Sequence, residues 1–106
     1  MPARLTTLLV AVDPGSASQA AVRHALRLAL SLKARLIAIS VTPRYEGNMH
    51  LWKIGNAAEQ LNKPFLMCLE EAKQSAAARG QEVQVVHSVG DPVGEIVRVA
   101  EEEQAG

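Results

Sequence analysis

Aromatic side chains are scarce in this chain: one Trp, one Tyr and one Phe make up 3% of its 106 residues. A core has to come instead from Ala, Val, Leu and Ile, the bulk of a 48% apolar fraction and the usual filling where helices pack on a sheet. Cysteine is nearly absent. The single Cys68 excludes an internal disulfide framework, supplies no metal cluster and leads us to expect a reducing, cytoplasmic setting. It stands in the run Phe65-Leu66-Met67-Cys68-Leu69 and reads as a small buried hydrophobe. Neither sign of charge is in excess, with 11 basic and 11 acidic residues, so no global field recruits nucleic acid or an anionic membrane. No apolar run is long enough to span a bilayer. Met1-Pro2-Ala3-Arg4 leads directly into a strand-like run, without the h-region of a signal peptide. The length fits a single domain, residues 1–106, with no internal repeat, low-complexity tract or linker.

What is present is a regular alternation of apolar runs. Leu5 to Val12 reads as a strand, and its continuous part, Leu8 to Val12, implies burial on both faces, as in the middle of a parallel sheet. The strand ends in Asp13, and Pro14, Gly15 and Ser16 turn the chain. An acid at the carboxyl end of a strand is a candidate ligand contact in an open α/β sheet; it is equally a turn residue that bonds the backbone beyond it. Ser16 and Gln19 have the spacing of a capping box, and Ala21, Ala25, Leu28, Ala29 and Leu32 share one helical face through about Lys33. Leu36 to Val41 is a second strand, closed by Thr42-Pro43.

A polar, irregular connection runs from Arg44 to about Asn56, longer than most loops in small domains. From about Ala57 the pattern is helical, with Leu61, Phe65, Leu69, Ala72 and Ala76 in phase up to Gly80, a C′ residue; Pro64 either opens this helix or kinks it. Glu82 to Val89 alternates and reads as an edge strand. Asp91 and Pro92 then supply an N-cap and a first helical residue, and Val93, Ile96, Val97 and Ala100 form the stripe of a last helix. The order βαβαβα with right-handed crossovers gives a three-layer α/β/α, Rossmann-like fold on a parallel sheet whose strand order begins 3-2-1. The far side of strand 1 then has no partner in this chain, so self-association as a homodimer or larger species is expected.

The stretch LLVAVDPGSASQAAVRHALRLALSLKARLIAISVTP resembles the opening of the universal stress protein family: strand, Asp-Gly-Ser-like turn, Ala-rich helix and second strand. GDPVGEIVRVAEEEQAG resembles its later Gly-x-Pro helix segment, and the likeness covers nearly the whole chain. Pro14 stands where the family commonly has glycine, with Gly15 one place later. Members that bind ATP carry a Gly-x-x-Gly segment after the fourth strand, with Gly-Ser or Gly-Thr nine residues on. Gly90 and Gly94 do not match that spacing, and the domain is expected to be incomplete after its third helix.

The resemblance implies a stress-response module that binds ATP or another adenine nucleotide in the complete domain, with binding weak or absent in this chain. It implies contacts from Asp13 to the ribose or adenine edge and from the backbone of Val41 to the adenine, with Val12, Pro14 and Gly15 around them. The alternative is a dimerisation or regulatory module that binds no nucleotide. No residue set points to catalysis: His24 falls on a solvated helix face, His50 in the loop has no ligand partner at a suitable spacing, and His87 and Ser88, adjacent on a strand, point to opposite faces. Slow ATP hydrolysis is the only enzymatic reading worth a test. Trp52, Met49 and Leu51 read as a latch folding back onto the domain, Arg44 and Lys53 as solvated, and Glu101 to Glu103 as an exposed helix end.

Overall fold

The computed structural model describes residues 6–43 and 57–103. The expected latch and basic residues of the 44–56 connection, and His50 with them, lie outside the described residues. The elements run β1 (Thr7–Ala11), α1 (Ser16–Leu32), β2 (Arg35–Pro43), α2 (Ala57–Ala78), β3 (Gln84–Gly90) and α3 (Pro92–Glu102). The three strands form one parallel sheet in the order β1-β2-β3, the expected 3-2-1 seen from the other side. Helices α1 and α2 cover one face, burying Val22, Leu26, Leu69 and Ala72 against Leu36 and Ala38. Helix α3 covers the other, where Val99 and Ile96 meet Ile39 and Val41.

β2 is the strand buried on both faces, from Leu36 to Thr42. The expectation of a two-sided burial for β1 is corrected: Leu8, Leu9 and Val10 are half-buried and Ala11 is exposed. A continuous apolar run marks a strand fit for the centre of a sheet, and among the described residues only β2 has a strand on each side. β3 is an edge, as its alternation predicts. Helix α2 runs through Pro64 without a break, so the helix does not start there. Its Leu69, Ala72 and Ala76 are buried, as their phase predicts.

The stripes of α1 and α3 are rotated from the expected ones. On α1 the buried residues are Val22, Leu26 and Ala29, while Ala21, Leu28 and Leu32 are exposed. On α3, Ile96 and Val99 pack on the sheet, and Val93 is 71% exposed. In each helix apolar residues lie on two adjoining faces; on α1 the sheet takes Val22, Leu26 and Ala29, with Ala25 half-buried against the same cluster, while Ala21, Leu28 and Leu32 face out.

Local signals at the helix ends are more exact. Gly80 has φ +69°, and the Gln81 N–H reaches back to the Ala76 carbonyl, which closes α2 in a conformation that suits glycine. At α3, Asp91 is the N-cap; its Oδ2 accepts the Gly94 N–H at 2.9 Å, with Pro92 following as the first helical residue. Asp91→Ala is therefore expected to lower stability by about 1 kcal/mol, read as a shifted urea midpoint at unchanged slope. A shift below the error of the melt would show that α3 does not depend on its cap. The glutamates at the end of α3 are not merely a solvated face. Glu103 pairs with Arg35 at 2.8 Å, tying the helix end to the start of β2, and Arg98 bridges Glu95 and Glu102 on α3 itself.

Candidate functional site

At the carboxyl end of β1 the chain leaves the sheet through Val12 and turns at once. The Val12 N–H still donates to the Ile39 carbonyl at 2.8 Å, so Val12 extends the ladder by one bond. Asp13 follows, and its Oδ1 accepts two hydrogen bonds at 3.0 Å, from the Gly15 N–H and from the Ser18 hydroxyl. The Ser18 Oγ in turn accepts the Asp13 N–H at 2.8 Å. This closed ring fixes the turn and sets the start of α1. The expected capping box is corrected accordingly: Gly15 is the N-cap, with no side-chain cap, and it is Ser18 that ties the first turn to Asp13. Gly15 has φ −119°, so it is not there for a left-handed backbone. Space explains it, since a Cβ at this position would stand 3.0 Å from Asp13 Oδ1.

The turn forms one wall of a cleft of about 400 Å³, a volume in the range of small-molecule sites. Val12, Asp13, Pro14 and Gly15, all expected at a site, line it together. Ser18, Gln19 and Val22 continue that wall along α1, and Met67, Cys68 and Glu71 of α2 stand opposite. The mouth is bridged by Gln19 Nε2, which donates to Glu71 Oε2 at 3.3 Å. Asp13 is exposed, and its Oδ2 has no protein partner among the described residues. Burial pushes the Cys68 thiol up from its ordinary value, and the Glu71 and Asp13 carboxylates push it further. The cysteine is thus half-buried and packed against the core, as a hydrophobe would be, yet it also floors the cleft.

Val41 does not line the cleft. Its side chain is buried on the opposite face of the sheet, against α3. Its backbone is placed differently. Backbone groups of alternate residues point to the same side of a strand, and the Ile39 carbonyl points to β1. Val41, two residues on, directs its own N–H and C=O to that side, just past the point where β1 has turned away.

Sequence reasoning missed the α2 wall. Glu71, Gln19 and Cys68 carry no local signal, because they belong to helices far apart in the chain. It also missed a polar row in the middle of the sheet. Thr42 Oγ1 and His87 Nε2 are hydrogen bonded at 2.8 Å, and the buried Ser40 Oγ, on the strand position opposite His87, has no hydrogen-bond partner among the described residues. The interruption of an apolar strand by Ser40 and Thr42 was the available signal. His87 and Ser88 do separate: Ser88 Oγ bonds Glu95 on the α3 side. His24 is exposed on α1. Among the described residues no cluster of three or more His, Cys, Asp or Glu is placed to hold a metal ion, and no helix is long and apolar enough to cross a membrane.

The model of the universal stress protein family matches residues 5–106. No curated protein sequence gives a significant match. Solved structures do. The universal stress protein UspA from Lactobacillus plantarum superposes with a TM-score of 0.78 at 24% identity, over 97% of this chain and 73% of that one. A universal stress family protein from Burkholderia pseudomallei gives 0.76 at 22% identity, over 94% and 76%. A universal stress protein solved in complex with cAMP gives 0.70 at 26% identity, over 97% and 69%. The fold of these structures is the fold described above, and a family match over almost all of the sequence goes further than likeness of fold: this chain belongs to the universal stress protein family.

Proposed function

We propose that the chain is a stress-response module of the cytoplasm that recognises adenine nucleotides through their nucleoside half, in the cleft at the end of β1. The observation that carries this reading is where the cleft lies. Open α/β sheets receive ligands in the crevice outside the carboxyl ends of their strands, and here Val12, Asp13, Pro14 and Gly15 form the wall of such a crevice. Asp13 Oδ2 is an acceptor for a ribose hydroxyl or the adenine amino group. The backbone of Val41 offers a donor and an acceptor from the neighbouring strand. A relative at 26% identity holds cAMP, which supports an adenine ligand for the family fold. Calorimetric titration with ATP, cAMP and the matching guanine nucleotides tests the reading: binding restricted to the adenine series supports it, and equal binding of the guanine series, or none of either, overturns it.

A second reading, a dimerisation or regulatory module, is favoured by one feature of the sheet. The outer edge of β1 pairs with no strand among the described residues, and its apolar side chains are only half-buried. Such an edge is stabilised by a second copy or by a domain exchange. Light scattering at micromolar concentration should then show a dimer or larger species. A clean monomer at high concentration, with slowly exchanging β1 amides, would sink this reading.

A further inference from the structure

We infer that the outer face of α2 is a self-complementary docking surface, on which a second copy of this chain packs its own α2 antiparallel about a two-fold axis between Leu66 and Met67. The inference goes beyond both functional readings and rests on neither, since it concerns a surface other than the cleft and the edge of β1. Helix α2 buries Leu69, Ala72 and Ala76 against the sheet. On the side turned away from it, Lys63, Leu66, Met67 and Glu70 stand at the i, i+3, i+4 and i+7 spacing that makes one stripe on a helix. All four are exposed, Leu66 at 47% and Met67 at 54%, and with Asn62 they line one shallow apolar hollow.

The ends of this stripe carry opposite charges that the chain itself leaves unused. Among the described residues neither Lys63 nor Glu70 has an ion-pair or hydrogen-bond partner, whereas Arg35 and Arg98 are both paired with glutamates. Seven residues apart, the two stand about 10 Å from each other along the helix axis, beyond the neighbours that three- and four-residue spacings bring together. A second α2 supplies the missing partners. In an isologous contact residue i meets residue j and j meets i, so an antiparallel pair centred between Leu66 and Met67 sets Leu66 against the partner's Met67. The same centre sets Lys63 against the partner's Glu70 and Glu70 against the partner's Lys63. Two ion pairs then flank an apolar middle, as charges flank the seam of a coiled coil. A parallel alignment would bring like charges together at both ends, and this repulsion fixes the orientation. With one helix from each copy the contact is small, so association is expected to be weak, on the order of 100 μM.

The test is sedimentation equilibrium of the whole chain at low salt, up to about 1 mM, beside Lys63→Glu, Glu70→Lys and the double variant. Each single reversal turns both pairs between subunits into like-charge contacts and is expected to weaken association about tenfold. The double reversal restores both pairs and should return association to within about threefold of the unaltered chain. Leu66→Gln, which removes the apolar middle and keeps the charges, should also weaken association about tenfold. All three positions are exposed, so the variants are expected to fold. A chain that stays monomeric over the whole range overturns the inference. So does association indifferent to the single reversals or to Leu66→Gln, which would belong to another surface such as the edge of β1. A double variant as weak as the singles also overturns it, since the two charges would then not face each other. No ligand enters these measurements, so the adenine reading is decided apart from them.

Discussion

Leu26→Ala is expected to remove about 3 kcal/mol of folding stability, within the range measured for truncating a fully buried leucine. Leu26 is 0% exposed at the centre of the α1 stripe, packed with Val22, Ala29, Leu36 and Ala38. Its truncation loses the transfer of a large side chain from water and leaves a cavity that the sheet behind it cannot collapse into. Domains of this size hold only about 5 to 15 kcal/mol in total, so the loss is a large share. Leu30, one turn on and 68% exposed, is the control; Leu30→Ala should move stability by no more than about 0.5 kcal/mol. Urea denaturation of both variants decides the phase of the helix. Equal losses would mean that α1 is turned on the sheet differently from the arrangement described here.

Asp13→Ala is expected to act twice, because the two carboxylate oxygens have different tasks. Oδ1 holds the turn through the Gly15 N–H and Ser18 Oγ, and its loss should cost about 1 kcal/mol, as for other local side-chain bonds that fix a helix start. Oδ2, with no protein partner among the described residues, is the ligand's acceptor under the proposed function. Losing a charged hydrogen-bond acceptor should weaken adenosine binding by about tenfold or more. Asp13→Asn separates the two effects, since its carbonyl oxygen can take the place of Oδ1 and keep the turn. Thermal melts should return Asp13→Asn to within about 0.5 kcal/mol of the unaltered chain. If Asp13→Ala loses stability but binds adenosine as before, Asp13 is a turn residue only, and the ligand contact lies elsewhere.

Much of this was legible in the chain alone, wherever the cause is local. The largely apolar run Leu36 to Val41 reads as a strand and is one. Asp91-Pro92 and Gly80 mark helix ends because the bonds that make those ends join residues three to five positions apart. The spacing of Leu69, Ala72 and Ala76 fixed the inner face of α2, where all three are buried. Asp13 stood out for the same reason: a carboxylate ending an apolar run is visible without a fold.

Where two local readings were equally good, packing chose. Ala21 and Val22 both lie on apolar stripes of α1, and only the sheet beneath decides that Val22 turns inward. β1 has the composition of a central strand and, among the described residues, has a neighbour on one side only, since a strand's place depends on which others reach it. Asp13 could be a turn residue or a ligand contact on sequence grounds, and the position of Ser18 in the first turn of α1 gives one oxygen to the turn. The opposite wall of the cleft was out of reach of any local argument. Glu71 comes to Gln19 across 52 residues of chain, and that meeting exists only because α1 and α2 pack side by side on one face of β2.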